Sequence, residues 1–213
     1  MKAFLATAIL LLLAASSHAQ FIKGYGVKMG MLVSEQEYNE DIIPGIIEKS
    51  EFDNRWGPQM VIFLDFIQLP FFSLQSELNY LQRGSQQDFP FITVQNPEGT
   101  GEYHTQHYSL EYLSLNIAGK LILKKPAVQP YLLGGLGLNY FLKTRHPLFF
   151  RQKHFRTFTP GVLLGAGLEF PQLLASGILV EVRYNADLTY TANNDSYEMH
   201  HRTWEFLMGV RLK

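Results

Sequence analysis

Seven charged side chains, Lys28, Glu77, Lys120, Glu181, Arg183, Glu205 and Arg211, stand in stretches where every second residue is apolar. Each falls on the phase opposite the apolar one, so all seven share one face of whatever those stretches build. If that face is enclosed, opposite signs must pair across it, because a buried ion without a partner is costly. Two positions share a local pattern, Glu77-Leu-Asn-Tyr80 and Glu181-Val-Arg-Tyr184, each just after a short connection. Such a set lines a selective pore or forms a polar plug. Glycines in the same phase favour the plug, since they leave room for long Lys and Arg chains.

Histidine suggests a second chemistry. Beyond His18, six remain, His104, His107, His146, His154, His200 and His201, all in or beside three long polar segments. Gathered on one rim they could hold a metal, or act with Asp195 or Ser196 in hydrolysis. Solvated loop histidines are the plainer reading. The chain has no Gly-x-Ser-x-Gly, no His-Glu-x-x-His and no phosphate loop, and Gly135-x-Gly137 lacks a third glycine. No catalytic residue, metal ligand or cofactor is therefore assigned. With no cysteine, disulfides and thiolate sites are excluded. A net charge of −1 with 17% charged residues excludes a basic nucleic-acid binder.

The elements that carry these residues alternate with period two, the mark of a half-buried strand. From Tyr25 one phase reads Tyr25, Val27, Met29, Met31, Val33 and the other Gly24, Gly26, Lys28, Gly30. The split recurs around 59–66, 73–83, 108–122, 130–143, 158–170, 178–190 and 203–212, which makes eight strands. Connections alternate as well. Those near Leu69-Pro70, 124–129 and 171–176 are short and contain proline, whereas 34–56, 84–107, 144–157 and 191–201 are long and polar. Short turns on one side and long loops on the other are the habit of outer-membrane barrels.

A soluble lipocalin-like cup shares the strand count, so the inside must be decided by volume. The apolar phase carries on the order of 40 large side chains, and an eight-stranded interior is only just wide enough to be filled. The apolar phase therefore faces outward, to lipid. Tyr25, Phe66, Phe72, Tyr80, Tyr140, Phe170, Tyr184, Tyr190 and Trp204 sit toward strand ends in that phase, where aromatic girdles belong. On this reading Leu164 meets lipid while Gly165 and Gly167 meet the lumen. An arginine at Thr203, in the lumen phase at a strand end, is expected to be mild. The fold class is an all-β, eight-stranded, antiparallel up-and-down transmembrane barrel with short periplasmic turns and long outer loops.

The first residues read as a separate segment. Lys2, an apolar stretch over 3–15 and Ser17-His18-Ala19 match a secretory signal cleaved before Gln20, with the barrel over 20–213. No cysteine follows, so a lipoprotein anchor is not expected.

Gly24-Tyr-Gly-Val-Lys-Met-Gly30, Leu110-Glu-Tyr-Leu-Ser-Leu-Asn-Ile-Ala-Gly-Lys120, Pro130-Tyr-Leu-Leu-Gly-Gly135 and Gly165-Ala-Gly-Leu-Glu169 resemble the outer membrane β-barrel, porin-like (PorT-like) family of Bacteroidetes. The resemblance spans most of 20–213. It implies an outer-membrane location, mostly without assigned activity, some members resembling secretion or gliding components. The last residues, Val210-Arg-Leu-Lys213, depart from the aromatic ending common in such barrels. The expected partners are outer-membrane lipid, the barrel-assembly machinery and an envelope protein met through the outer loops, with no nucleic acid. The expected role is structural or interaction. A narrow solute pore is the alternative, and an outer-membrane hydrolase the third reading.

Overall fold

In the described strands the alternation becomes a ladder. The computed structural model describes residues 22–40, 53–90, 103–123, 127–145, 155–172, 177–194 and 197–212. Within them run β1 (Gly24–Glu40), β2 (Asp53–Gln68), β3 (Phe72–Pro90), β4 (Tyr103–Ile122), β5 (Gln129–Arg145), β6 (Phe158–Phe170), β7 (Ile178–Asp187), β8 (Ala192–Asn194) and β9 (Tyr197–Leu212). Sequence neighbours pair antiparallel from β1 to β7, β7 pairs with β9, and β9 closes onto β1 from Tyr25↔Leu212 to Glu40↔Tyr197. This is a closed barrel of eight long strands, with the three-residue β8 added beside β9. Closure lets strand backbone groups pair around the barrel, as hydrocarbon surroundings demand. The signal-like segment 1–19 lies outside the described residues.

The two phases separate inside from outside. Leu164 is 63% exposed, while Arg183, whose partner in the ladder is the adjacent Gly165, is 1% exposed. Met29, Ile62, Leu115, Leu136 and Met208 point out like Leu164. So large an exposed apolar belt does not occur on a water-soluble monomer, and it marks a lipid-facing wall. Aromatics edge the belt. On the loop side Trp56 stacks on Phe206 at 6.0 Å and Tyr184 meets Trp204 at 5.1 Å. Tyr25 and Phe71 are exposed on the turn side. At the turn between β6 and β7, Gly177 adopts φ +60°, and its carbonyl accepts from Arg211 N at 3.1 Å. A side chain there is strained by the left-handed backbone alone.

Three details differ from the sequence reading. The strands run past the apolar belt, so β1 reaches Glu40 and β3 and β4 stay paired to Pro90↔Tyr103. Backbone pairing continues wherever the ladder extends, whether or not its outer side chains are apolar, and period-two hydropathy does not record that. Conversely, β7 stops at Asp187 rather than 190. There the chain turns inward as Thr191 Oγ1 donates to Asp187 at 2.6 Å. Tyr190 is therefore not a girdle residue of a strand but lies under the Arg156 guanidinium, 3.6 Å from its ring. Finally, Thr203 is a mid-strand position buried in the lumen, its hydroxyl donating to Asn185 O at 3.2 Å, so an arginine there is disruptive, not mild.

The faces can be tested by charge. Leu164→Arg, central in the belt, should weaken folding into bilayers by about 2–4 kcal/mol. Leu188→Arg, exposed just beyond the end of β7, should change it by less than about 1 kcal/mol. Urea titration of vesicle-folded protein reads both.

Candidate functional site: the charged lumen

Inward phases from four strands meet in a central ion cluster. Lys28 of β1 donates from Nζ to Glu77 of β3 at 2.9 Å, Glu181 of β7 at 3.0 Å and Gln75 at 3.3 Å. Arg183 embraces Glu77 through Nη1 and Nη2 at 2.6 and 2.5 Å and also pairs through Nε with Glu181. Tyr131 of β5 closes the cluster by donating to Glu181 at 2.6 Å. All four ions are buried. The shared sequence pattern is thus a geometric one. Glu77 and Glu181 reach inward to the same ammonium, while Tyr80 and Tyr184 stay on the outward face.

Three further groups lie beyond this cluster. At the turn-side end, Arg211 pairs with Asp65 and donates to Glu169 at 2.6 Å. On the other side, Glu205 accepts from Gln59 at 2.9 Å and from Asn185 at 3.2 Å. Further toward the loops, Arg83 pairs with Asp187 at 2.9 Å, with Asn139 on the same oxygen at 3.0 Å. Asp65, Arg83, Glu169, Asp187 and Tyr131 are members that the sequence reading left off its network. Alternation alone places the four charges in the inward phase. Tyr131 is harder to foresee, because an aromatic residue beside proline gives no sign that it serves an ion.

Lys120 departs from the expectation that every lumen charge pairs. It is buried, and its Nζ lies 4.1 Å from the Tyr131 ring centre with no hydrogen-bond partner among the described residues. The nearby carboxylates are already occupied: Glu181 by Lys28, Tyr131 and Arg183, and Asp65 by Arg211 and Gln75. The ring face offers the electrostatic partner that remains. Counted with its neighbours, Lys120 still balances the turn-side half of the lumen. Lys28, Lys120, Arg183 and Arg211 there offset Asp65, Glu77, Glu169 and Glu181.

Small residues make the space. A Cβ on Gly209 would fall 2.7 Å from Lys28 Cγ, and one on Gly165 would fall 3.0 Å from Arg183 Cγ. The two longest arms of the cluster therefore lie across backbone that carries no side chain. The lumen is also more apolar than the glycine, asparagine and serine phase suggested. Phe63, Ala118, Ile122, Leu133, Leu163 and Leu179 pack on the turn side. Leu32, Leu81, Leu110, Tyr112, Met199 and Phe155 pack on the loop side, where Phe155 stacks on Phe141 at 4.7 Å. These layers lower the local dielectric and so strengthen the ion pairs between them.

The described histidines do not converge in this way. His104 and His107 are exposed on β4, three residues apart and so on opposite faces of the strand. His200 and His201 are adjacent on β9, where His201 turns inward to within 6.1 Å of the Tyr112 ring. Among the described residues no three His, Asp or Glu side chains are grouped to hold a metal. His146, His154, Asp195 and Ser196 lie outside the described residues.

No protein-family model matches the chain, and no curated protein sequence does either. Its fold is similar to that of the outer membrane protein OprG from Pseudomonas aeruginosa. That match has a TM-score of 0.50 and 9% identity over 89% of this chain and 95% of that one. Neisserial surface protein A matches with a TM-score of 0.48 and 14% identity, over 89% and 96% of the two chains. Ail, the attachment invasion locus protein of Yersinia pestis, matches with a TM-score of 0.39 and 14% identity, over 89% and 98%. At such identities the likeness concerns the fold.

The cluster predicts unequal costs. Arg183→Leu strands Glu77 and Glu181 with one ammonium between them and should destabilise the barrel by about 3–5 kcal/mol. Glu205→Gln should cost clearly less, because its two donors are neutral amides that can re-pair with an amide. Denaturant unfolding in micelles, followed by the heat-dependent gel shift, checks the order.

Proposed function

We propose that the chain is an integral outer-membrane barrel with a structural or partner-contact role, neither enzymatic nor conductive. The observation that carries this reading is the filled lumen. Paired charges span it, and apolar side chains close it toward both ends. An ion entering from water would have to break a buried pair, whose removal costs several kcal/mol. The serine and threonine hydroxyls that sit beside carboxylates in the described lumen, Ser73 with Asp65 and Thr191 with Asp187, are at most 2% exposed and so are shut away from any substrate. What remains for contact with other molecules is the loop side, where β1, β3, β4 and β9 extend past the lipid belt.

Several finer assignments belong to the same reading. Residues 1–19 act as a cleaved signal, the barrel-assembly machinery inserts the chain, and an envelope protein is met on the loop side. The motifs of β1, β4, β5 and β6 support membership of the PorT-like family of Bacteroidetes.

Two measurements test the proposal. Purified protein in planar bilayers at neutral pH should give no conductance steps above the lipid baseline. Regular steps that disappear on boiling would replace the plugged scaffold by the narrow pore. In cells, the protein should fractionate with the outer membrane and start at Gln20. Recovery in the soluble periplasm without detergent would overturn the membrane assignment.

A further inference from the structure

The β3–β6 wall of the lumen carries a row of uncharged polar side chains that the ion network engages only through Asn139 Nδ2. Asn79, Ser114, Asn139 and Thr159 are direct cross-strand partners, one after another, on β3, β4, β5 and β6. In the next row, Asn116 stands beside Gly137, which in turn faces Gly161. Asn79, Asn116, Asn139 and Thr159 are at most 1% exposed. Yet both amide atoms of Asn79, Nδ2 of Asn116, Oδ1 of Asn139 and Oγ1 of Thr159 have no hydrogen-bond partner among the described residues. Their remaining atoms are engaged. Ser114 donates to Asn116 at 2.8 Å, and Asn139 donates to Asp187 at 3.0 Å.

Five orphaned atoms on one wall are too many to leave unsatisfied, since each buried polar group without a partner costs about 1–3 kcal/mol. We infer that this wall is one side of an enclosed chamber of ordered water inside the barrel, at the level between Glu77 and Arg83. The chemistry of the atoms selects the occupant. Asn79 Nδ2 and Asn116 Nδ2 donate, Asn79 Oδ1 and Asn139 Oδ1 accept, and the Thr159 hydroxyl does both. A ligand that must donate and accept at neighbouring positions is water. A cation or an anion would leave half of them unmet. Gly137 and Gly161 keep the wall shallow there, for a Cβ on Gly161 would come within 3.3 Å of Asn185 Oδ1 and 3.6 Å of Asn139 Nδ2. The chamber is shut above by the row of Leu81, Tyr112 and Phe141, and below by Ala118 and Leu163. This inference rests on the closed-lumen reading but is separately testable, because water can be present whether or not ions pass.

The test is water-to-protein cross-relaxation in NMR spectra of the isotope-labelled barrel, folded in lipid nanodiscs. The Asn79 and Asn139 side-chain amide protons should show cross-peaks to water with the sign of long residence. In Asn79→Leu/Thr159→Val, which breaks no protein hydrogen bond, the Asn139 cross-peak should weaken at least severalfold while the barrel stays folded. Wild-type amides without water cross-peaks would overturn the chamber. So would cross-peaks with the sign of sub-nanosecond exchange, which would mean a passage open to bulk. Conductance without loss of the long-residence signal would overturn only the closed-lumen reading.

Discussion

The barrel depends on one constraint, that charges removed from water must find each other. Lys28, Glu77, Glu181 and Arg183 come from three different strands, and none of them is satisfied by a neighbour in its own hairpin alone. Lys28 joins β1 to β3 and β7, and Arg183 joins β7 to β3, so the pairs span the barrel rather than follow the ladder. Backbone pairing makes a sheet and closure makes a tube, but neither fixes which residues face inward. A shift of one residue in β1, β3 or β7 would send its ions into lipid. The network thus acts on register as much as on stability, and glycines opposite Lys28 and Arg183 let it fit within eight strands.

The outer face follows from the same division. Hydrocarbon accepts Leu164, Leu136 and Met29 without cost and excludes the ions, so each phase is held in place by rejection from the other side. The apolar layers inside the lumen refine the picture. They stand above and below the ion cluster and keep bulk water from weakening it, while the loop-side layer of Phe155, Phe141 and Tyr112 covers the entrance.

Much of this was legible in the sequence because period two is a direct image of the two faces. The strand count, the outward residues apart from Tyr190, and the inward phase of all seven named ions follow from it. Other features leave no trace in hydropathy. The continuation of β3 to Pro90 and of β1 to Glu40 is driven by backbone pairing among polar residues, which looks like loop. The inward turn after Asp187 depends on Arg83, a residue more than a hundred positions earlier. The ring that serves Lys120 and the hydroxyl that serves Glu181 both belong to Tyr131, whose neighbours in sequence predict only a strand start. Pairing across a closed tube is a long-range property, and a single sequence records composition along the chain but not the partners across it.

The central claim is that Arg183 and Glu77 are held for each other, and a double-mutant cycle measures that directly. Unfolding free energies would be compared for wild type, Arg183→Leu, Glu77→Leu and the double replacement in the same lipid. The account predicts strong non-additivity, with each single change costly and the double change recovering about 1–3 kcal/mol of the summed loss. Costs that add to within about 0.5 kcal/mol would contradict it, and would reduce the lumen ions to independent occupants of a barrel held by its ladder alone.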